Sequence, residues 1–83
     1  MTQLARTPKQ IGEILRRTRN LAGMSQGELA GRAGLRQATI SQIESGRTAT
    51  KIGTICDILG ALDLELEVRP RSKGSPQDIE DIF

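Results

Sequence analysis

Apolar side chains recur every three or four residues through most of positions 7–63, a period that predicts amphipathic helices. Four such stretches are separated by glycines or short polar runs, so we expect an all-α domain of four helices. The predicted inward positions are Ile11, Leu15, Thr18 and Ala22 in the first helix, Leu29, Ala30 and Ala33 in the second, Ile40 and Ile43 in the third, and Ile52, Ile55, Ile58, Leu59 and Leu62 in the fourth.

Capping residues indicate where these helices begin and end. Thr7 lies three residues before Gln10, and Ser25 lies three residues before Glu28, so both pairs fit the capping-box pattern. The first helix should extend to about residue 22, and Thr50 is expected to cap the fourth helix. Glycine in the left-handed conformation commonly ends a helix, and the predicted terminators are Gly23, Gly34 and Gly46.

The second and third helices are short and are separated by a tight turn at Gly34, which is the plan of a DNA-binding helix-turn-helix. The polar face of the third helix carries Gln37, Ala38, Ser41 and Gln42. Amide side chains pair with adenine in the major groove, and small side chains let a helix approach a thymine methyl group. These four residues are therefore the predicted base-reading positions.

Residues 25–47, SQGELAGRAGLRQATISQIESGR, resemble the helix-turn-helix of the Xre or phage-repressor type nearly position by position. A looser resemblance covers residues 7–63. Arg36 departs from the family pattern, which often has Ser or Thr there as a helix cap, and it adds a cation at the DNA-facing end. The resemblance also implies a partly buried ion pair between Arg19 and Glu44, which would fix the first helix against the third.

The same resemblance implies which residues bind the DNA phosphates. They are Gln26, Thr39, Arg47, Thr48 and Lys51. The basic and hydroxyl-rich segment after Gly46 would clamp the backbone, although its composition also fits a plain surface loop. Arg16 and Arg17 are interpreted as a solvated face of the first helix rather than as DNA contacts.

Residues 64–69 alternate between apolar and charged side chains and end at Pro70, which predicts a β-strand over 64–70. A single strand has no sheet to join in a helical chain, so we expect it to pair with the same strand of a second chain in a homodimer. Leu64, Leu66 and Val68 would then lie on the helices. The alternatives are a continuation of the fourth helix or a loop.

The two ends of the chain are predicted to lie outside the folded domain. Residues 1–6 are expected to form a loose arm, and residues 71–83 a flexible linker followed by an acidic tail, because Ser, Gly and Pro precede three acidic residues. The tail contains Ile79, Ile82 and Phe83, and short acidic-apolar peptides commonly dock on a protein partner. A degradation signal or a disordered end are the alternatives.

The domain, strand and tail together resemble antitoxins of the HipB type, chiefly through residues 34–41. In that family a homodimer binds double-stranded operator DNA and holds a kinase-fold toxin. The resemblance implies that Arg36, Gln37, Ala38 and Ser41 read an operator. It also implies that Phe83 inserts into a HipA-like kinase toxin.

Charge is unevenly distributed along the chain. The net charge is only +2, but residues 1–53 carry nine of the twelve cationic side chains and three of the ten anionic ones. A basic front half suits DNA phosphates, and an acidic rear half suits a protein partner.

The 83 residues include no histidine and one cysteine, Cys56, which is expected to pack beside the apolar stripe of the fourth helix. This composition excludes a Cys/His zinc site, a disulfide scaffold and a His-dependent catalytic triad. We therefore predict no enzyme, no cofactor and no metal. No apolar run is long enough to span a membrane and no signal-peptide pattern occurs, so we expect a cytoplasmic protein associated with the bacterial nucleoid.

These features predict a sequence-specific repressor that acts as the antitoxin and autorepressor of a toxin–antitoxin operon. One alternative is a stand-alone Xre-type regulator without a toxin partner. Another is a protein-interaction module whose helix-turn-helix no longer binds DNA. Steep loss of affinity with salt would distinguish DNA binding from protein docking.

Overall fold

The computed structural model describes residues 3–47 and 49–71, and this part of the chain contains four α-helices and no strand. The helices are α1 (Pro8–Leu21), α2 (Gln26–Ala33), α3 (Gln37–Glu44) and α4 (Ile52–Ala61). The prediction of four helices in an all-α domain is confirmed. None of them is long and apolar enough to cross a membrane.

Local capping interactions explain where α1 and α2 begin. The Thr7 hydroxyl accepts a hydrogen bond from the Gln10 backbone N–H at 3.1 Å. In α2, the Ser25 hydroxyl accepts from the Glu28 N–H at 3.0 Å while the Glu28 carboxylate accepts from the Ser25 N–H at 3.1 Å, which completes the predicted capping box. The box at α1 is only half formed, because the Gln10 side chain accepts from the Arg6 N–H instead of the Thr7 N–H.

The start of α4 differs from the prediction. Lys51, and not Thr50, is the N-cap residue, and it makes no side-chain capping hydrogen bond. Lysine has no acceptor atom with which to bind the orphan N–H groups of the first turn. The N-cap side chain therefore supplies no capping hydrogen bond at the beginning of α4.

A small core joins the four helices. Leu15 of α1, Leu29 of α2, Ile40 of α3 and Ile58 of α4 are each at most 2% exposed, and they meet in one cluster. α3 packs between α1 and α2, and α2 also packs on α4. The inward positions that sequence periodicity predicted in α2 and α3 are therefore the ones that form the centre of the core.

Three predicted core positions lie outside it. Ile52 is 68% exposed, and both Cys56 and Ala22 are exposed. Ile52 and Cys56 lie four residues apart and share one face of α4, whereas α4 packs through the opposite side that carries Ile58. Ala22 follows the last residue of α1, where the chain already turns away. The expectation that Cys56 behaves as a buried small hydrophobe is wrong.

Gly12 allows α1 to lie directly on the C-terminal end of α3. A side chain at this position would place its Cβ against the Ile43 carbonyl oxygen and 2.7 Å from the Glu44 carbonyl oxygen. Any residue larger than glycine would force the two helices apart. The absence of a side chain at this position therefore sets the distance between α1 and the helix that carries the predicted base-reading residues.

The chain leaves α4 through a left-handed turn and then has no regular secondary structure. Asp63 has φ = 59°, and the Leu64 N–H donates to the Leu59 carbonyl at 2.8 Å, which closes the last turn of α4. Residues 64–70 form no strand in the single chain. Of the three residues predicted to lie on the helices, Leu64 packs against the core, while Leu66 is 56% exposed and Val68 98% exposed.

Candidate nucleic-acid interface

The exposed face of α3 carries the predicted base-reading residues. Gln37, Ala38, Ser41 and Gln42 are all exposed and follow helical spacing along one side of the helix. Ile40 and Ile43 anchor the opposite side in the core. The helix therefore presents two amides, a hydroxyl and a methyl group to the outside on a rigidly packed support.

The turn between α2 and α3 determines how this face is aimed. Gly34 adopts φ = 71°, and the Leu35 N–H donates to the Ala30 carbonyl at 2.8 Å. Arg36 then precedes α3 without making a side-chain capping hydrogen bond, and its side chain is exposed. The guanidinium of Arg36 is thus available beside the first turn of α3.

The first turns of α2 and α3 lie close together. A Cβ atom at Gly27 would be 3.8 Å from the Gln37 side-chain oxygen. The Gln37 amide therefore extends beside the start of α2, where the chain offers only a glycine. Both helices contribute to one surface at this point.

The structure brings Arg19 and Glu44 together in a buried two-point interaction. The Arg19 Nε donates to Glu44 Oε2 at 2.7 Å and the Arg19 Nη2 donates to Glu44 Oε1 at 3.0 Å. Only 10% of the Arg19 side chain and 4% of the Glu44 side chain are exposed. The Arg19 Nη1 also donates to the Met24 carbonyl at 2.8 Å, so the guanidinium ties α1, the following turn and α3 together.

The hydrogen bonds to Glu44 raise the pKa of Arg19, and burial opposes this effect. These hydrogen bonds therefore favour the charged form of the Arg19 guanidinium. Because both charges have been removed from water, the pair orients the two helices more reliably than it adds net stability.

Gln26 joins the same network. Its Nε2 donates to Glu44 Oε1 at 3.1 Å, and the residue is half-buried at the first position of α2. One N–H of this amide is thus engaged inside the protein, and a second N–H remains on the same nitrogen. The side chain that resemblance assigned to a DNA phosphate therefore also links α2 to the end of α3.

The remaining phosphate candidates lie around α3. Thr39 is half-buried within the helix, whereas Arg47 and Lys51 are exposed on the connection between α3 and α4. The Arg47 N–H donates to the Gln42 carbonyl at 3.2 Å, so this arginine lies close to the C-terminal end of α3. Thr48 lies outside the described residues, as do Ile79, Ile82 and Phe83 of the tail.

Sequence reasoning missed one cation near this connection. Lys9 of α1 contacts Gly46, although the two positions are far apart in the sequence. No local pattern could have indicated the contact, because it depends on how α1 crosses α3. By contrast, Arg16 and Arg17 are exposed as predicted, and Arg17 donates to the Gln3 side chain at 2.8 Å.

The sequence profile of the helix-turn-helix family matches residues 15–68. This chain belongs to the helix-turn-helix family. The predicted resemblance to Xre-type regulators is thereby confirmed. The matched residues include α2, α3 and the pair formed by Arg19 and Glu44.

Two proteins and one solved structure are similar to this chain over most of its length. The chain is 41% identical over 68 residues to the uncharacterized HTH-type transcriptional regulator y4dL of Sinorhizobium fredii, a match that covers 82% of this chain but only 35% of that protein. It is 32% identical over 74 residues to the antitoxin HipB of Escherichia coli, covering 89% of this chain and 84% of HipB. The structure of a HipA–HipB–O2–O3 complex matches with a TM-score of 0.76 and 32% identity, over 83% of this chain and 97% of that chain.

Removing one partner of the Arg19–Glu44 pair should strongly destabilise the fold. We expect Arg19→Met or Glu44→Leu to lower the free energy of unfolding by about 3–5 kcal/mol, because each leaves a buried charge without its counter-charge. The double variant should recover much of this loss. The measurement is urea unfolding of each purified variant, with the exposed Arg16→Met as the matched control, expected within about 0.5 kcal/mol of wild type. Single variants as stable as wild type would contradict a structural role for the pair.

Proposed function

We propose that this chain is a sequence-specific DNA-binding repressor in which α3 reads base edges in the major groove. The observation that carries the proposal is the exposed face of α3, which presents the Gln37 and Gln42 amides while Ile40 anchors the helix from behind. Amides recognise adenine through two hydrogen bonds, and the small Ala38 and Ser41 side chains permit close approach. Arg36 supplies a cation suited to guanine or phosphate at the start of the helix.

The proposed phosphate contacts surround this reading face. Arg47 and Lys51 are exposed on the connection after α3 and have no salt-bridge partner among the described residues, which supports their assignment to the DNA backbone. Gln26 and Thr39 are proposed to contribute a hydrogen bond each. Thr48 is included from the sequence alone.

We propose that the repressor is a homodimer joined through residues 64–70. In the single chain, Leu66 and Val68 remain exposed beside a groove formed by the N-terminal arm, α1 and α4. Pairing with the same segment of a second copy would satisfy its backbone groups and cover these side chains. A two-fold dimer would also present two recognition helices to the two halves of an operator.

We further propose that the protein is the antitoxin and autorepressor of a toxin–antitoxin operon, with a HipA-like kinase as its toxin. The support is the 32% identity to HipB over most of both chains and the similarity to HipB in the HipA–HipB–O2–O3 complex. The acidic tail with Ile79, Ile82 and Phe83 is the proposed docking segment. Cytoplasmic location on the nucleoid follows from this function.

A stand-alone transcriptional regulator is the second candidate. The observation that favours it is the 41% identity to y4dL, which exceeds the identity to HipB. Both candidates share the DNA-reading role of α3, and they differ in whether a toxin partner exists. A protein-interaction module without DNA binding would differ from both by showing little dependence of its affinity on salt.

Gln37→Ala tests the reading role of α3. A duplex selected by the wild-type protein from a random library serves as the probe, and a scrambled duplex of equal length is the control. The substitution should cost about 1–3 kcal/mol on the selected duplex and relax the preference at one base pair in each half-site. Affinity for the scrambled duplex, which depends on phosphate contacts, should stay unchanged. An unaltered ratio between the two affinities would show that α3 does not read bases.

Leu66→Ser tests the dimer. Removing this apolar side chain from the segment should shift the species measured by analytical ultracentrifugation from dimer toward monomer and weaken binding to the selected duplex. Leu21→Ser is the matched control, since Leu21 is another leucine that is largely exposed but lies at the end of α1. A dimer that persists in Leu66→Ser would move the interface to another surface.

Phe83→Ala tests toxin docking. Burying a phenylalanine contributes about 1.5–3 kcal/mol, so its loss should weaken binding of the protein encoded beside this chain in the native operon by more than about tenfold. The measurement is titration of that co-expressed protein at one salt concentration. Affinity for the selected duplex is the control and should not change. Equal binding by wild type and Phe83→Ala would remove the tail from the proposed interface.

A further inference from the structure

We propose that Lys9, at the start of α1, binds the DNA phosphate backbone together with Arg47. This inference rests on the proposed DNA-binding function and adds a contact from a helix that carries none of the proposed base or phosphate contacts. It concerns one more residue of the phosphate-binding surface and not the reading of bases.

The start of α1 contacts the connection that follows α3. A Cβ atom at Gly46 would lie 2.7 Å from the Lys9 Cα, 3.0 Å from the Lys9 N and 3.1 Å from the Lys9 Cβ. Gly46 also has φ = 71°, so glycine is required there both by its backbone conformation and by the space available. Pro8 and Gly46 line the same shallow depression as Ala49, which shows that the start of α1 lies along this connection.

The Lys9 side chain begins close to the backbone position that precedes Arg47. Its Cβ lies beside position 46, and Arg47 is the next residue along the chain. Both side chains are exposed, and neither has a salt-bridge partner in the part of the chain that the structure describes. Two cations therefore extend from neighbouring backbone positions, and neither forms a salt bridge within this part of the chain.

A lysine at the position of Lys9 is electrostatically unfavourable for α1 alone. Lys9 occupies the first turn of α1, and this turn contains no acidic residue. The positive end of the helix dipole favours anions there and disfavours a lysine. An external anion held by Lys9 and Arg47 would remove the conflict with the dipole.

A DNA phosphate is the anion that this position favours. Arg47 lies three residues after Glu44, the last residue of α3, and its N–H donates to the carbonyl of Gln42, a proposed base-reading residue. A duplex lying along α3 would bring its closely spaced phosphates to the same edge. Lys9 would then bind the backbone just beyond the bases read by α3.

The test is the salt dependence of binding by full-length Lys9→Gln to the selected and scrambled duplexes. One phosphate contact contributes about 0.9 to the steepness of the fall of log affinity with log salt. Loss of that contact should therefore lower the affinity at 0.1 M salt by about eightfold for each chain bound. We expect this loss on both duplexes and an unchanged ratio between them. Lys9→Arg, which keeps the charge, should retain the wild-type slope.

Arg16→Gln is the matched control for loss of one exposed cation, because Arg16 is exposed on α1 and is interpreted as a solvated position rather than as a DNA contact. A slope for Lys9→Gln equal to that of Arg16→Gln would overturn the proposal, as would a loss confined to the selected duplex. Salt-independent binding by the wild-type protein would instead contradict the proposed function itself. The thermal unfolding midpoint of Lys9→Gln should match wild type, because the side chain is exposed.

Discussion

The buried interaction between Arg19 and Glu44 is the constraint on which the orientation of α3 and its exposed face depends. It joins the last turn of α1 to the last residue of α3, and Gln26 attaches the first turn of α2 to the same carboxylate. Three helices are therefore held at one point by directional, charged hydrogen bonds rather than by apolar contact alone. In a domain with so small a core, this arrangement gives α3 a defined orientation that hydrophobic packing would leave less specific.

Close backbone contacts complete this arrangement. Gly12 lets α1 lie against the final carbonyl groups of α3, and Gly46 lets the following connection pass beside Lys9. The C-terminal end of α3 is thus enclosed by α1, while its outer face remains exposed. The proposed base-reading surface, the proposed phosphate contacts and the internal ion pair all depend on the same crossing of α1 over α3, so a change at this crossing would affect each of them.

Some of this structure follows from local sequence patterns and some does not. The capping box of Ser25 and Glu28 lies within four consecutive residues, so its chemistry is visible in the sequence. The exposed face of α3 follows equally from helical spacing. Arg19 and Glu44 are 25 positions apart, and only resemblance to a family indicated that they meet.

The predictions that were wrong or incomplete have a common physical origin. Periodicity identified an apolar stripe on α4, but it could not show that Ile52 and Cys56 are exposed. The contact of Lys9 with Gly46 depends on the angle at which two helices cross, which no single segment encodes. The alternation in residues 64–69 describes a segment suited to pairing, and pairing requires a partner that a single chain does not contain.

The central claim is that α3 lies in the major groove, and NMR of the isotope-labelled protein bound to its selected duplex tests it most directly. The side-chain amide protons of Gln37 and Gln42 should show intermolecular contacts to base protons, and the amide resonances of α3 should shift more than those of α4. Intermolecular contacts confined to α4 or to residues 64–71, with the α3 amides unshifted, would contradict the account.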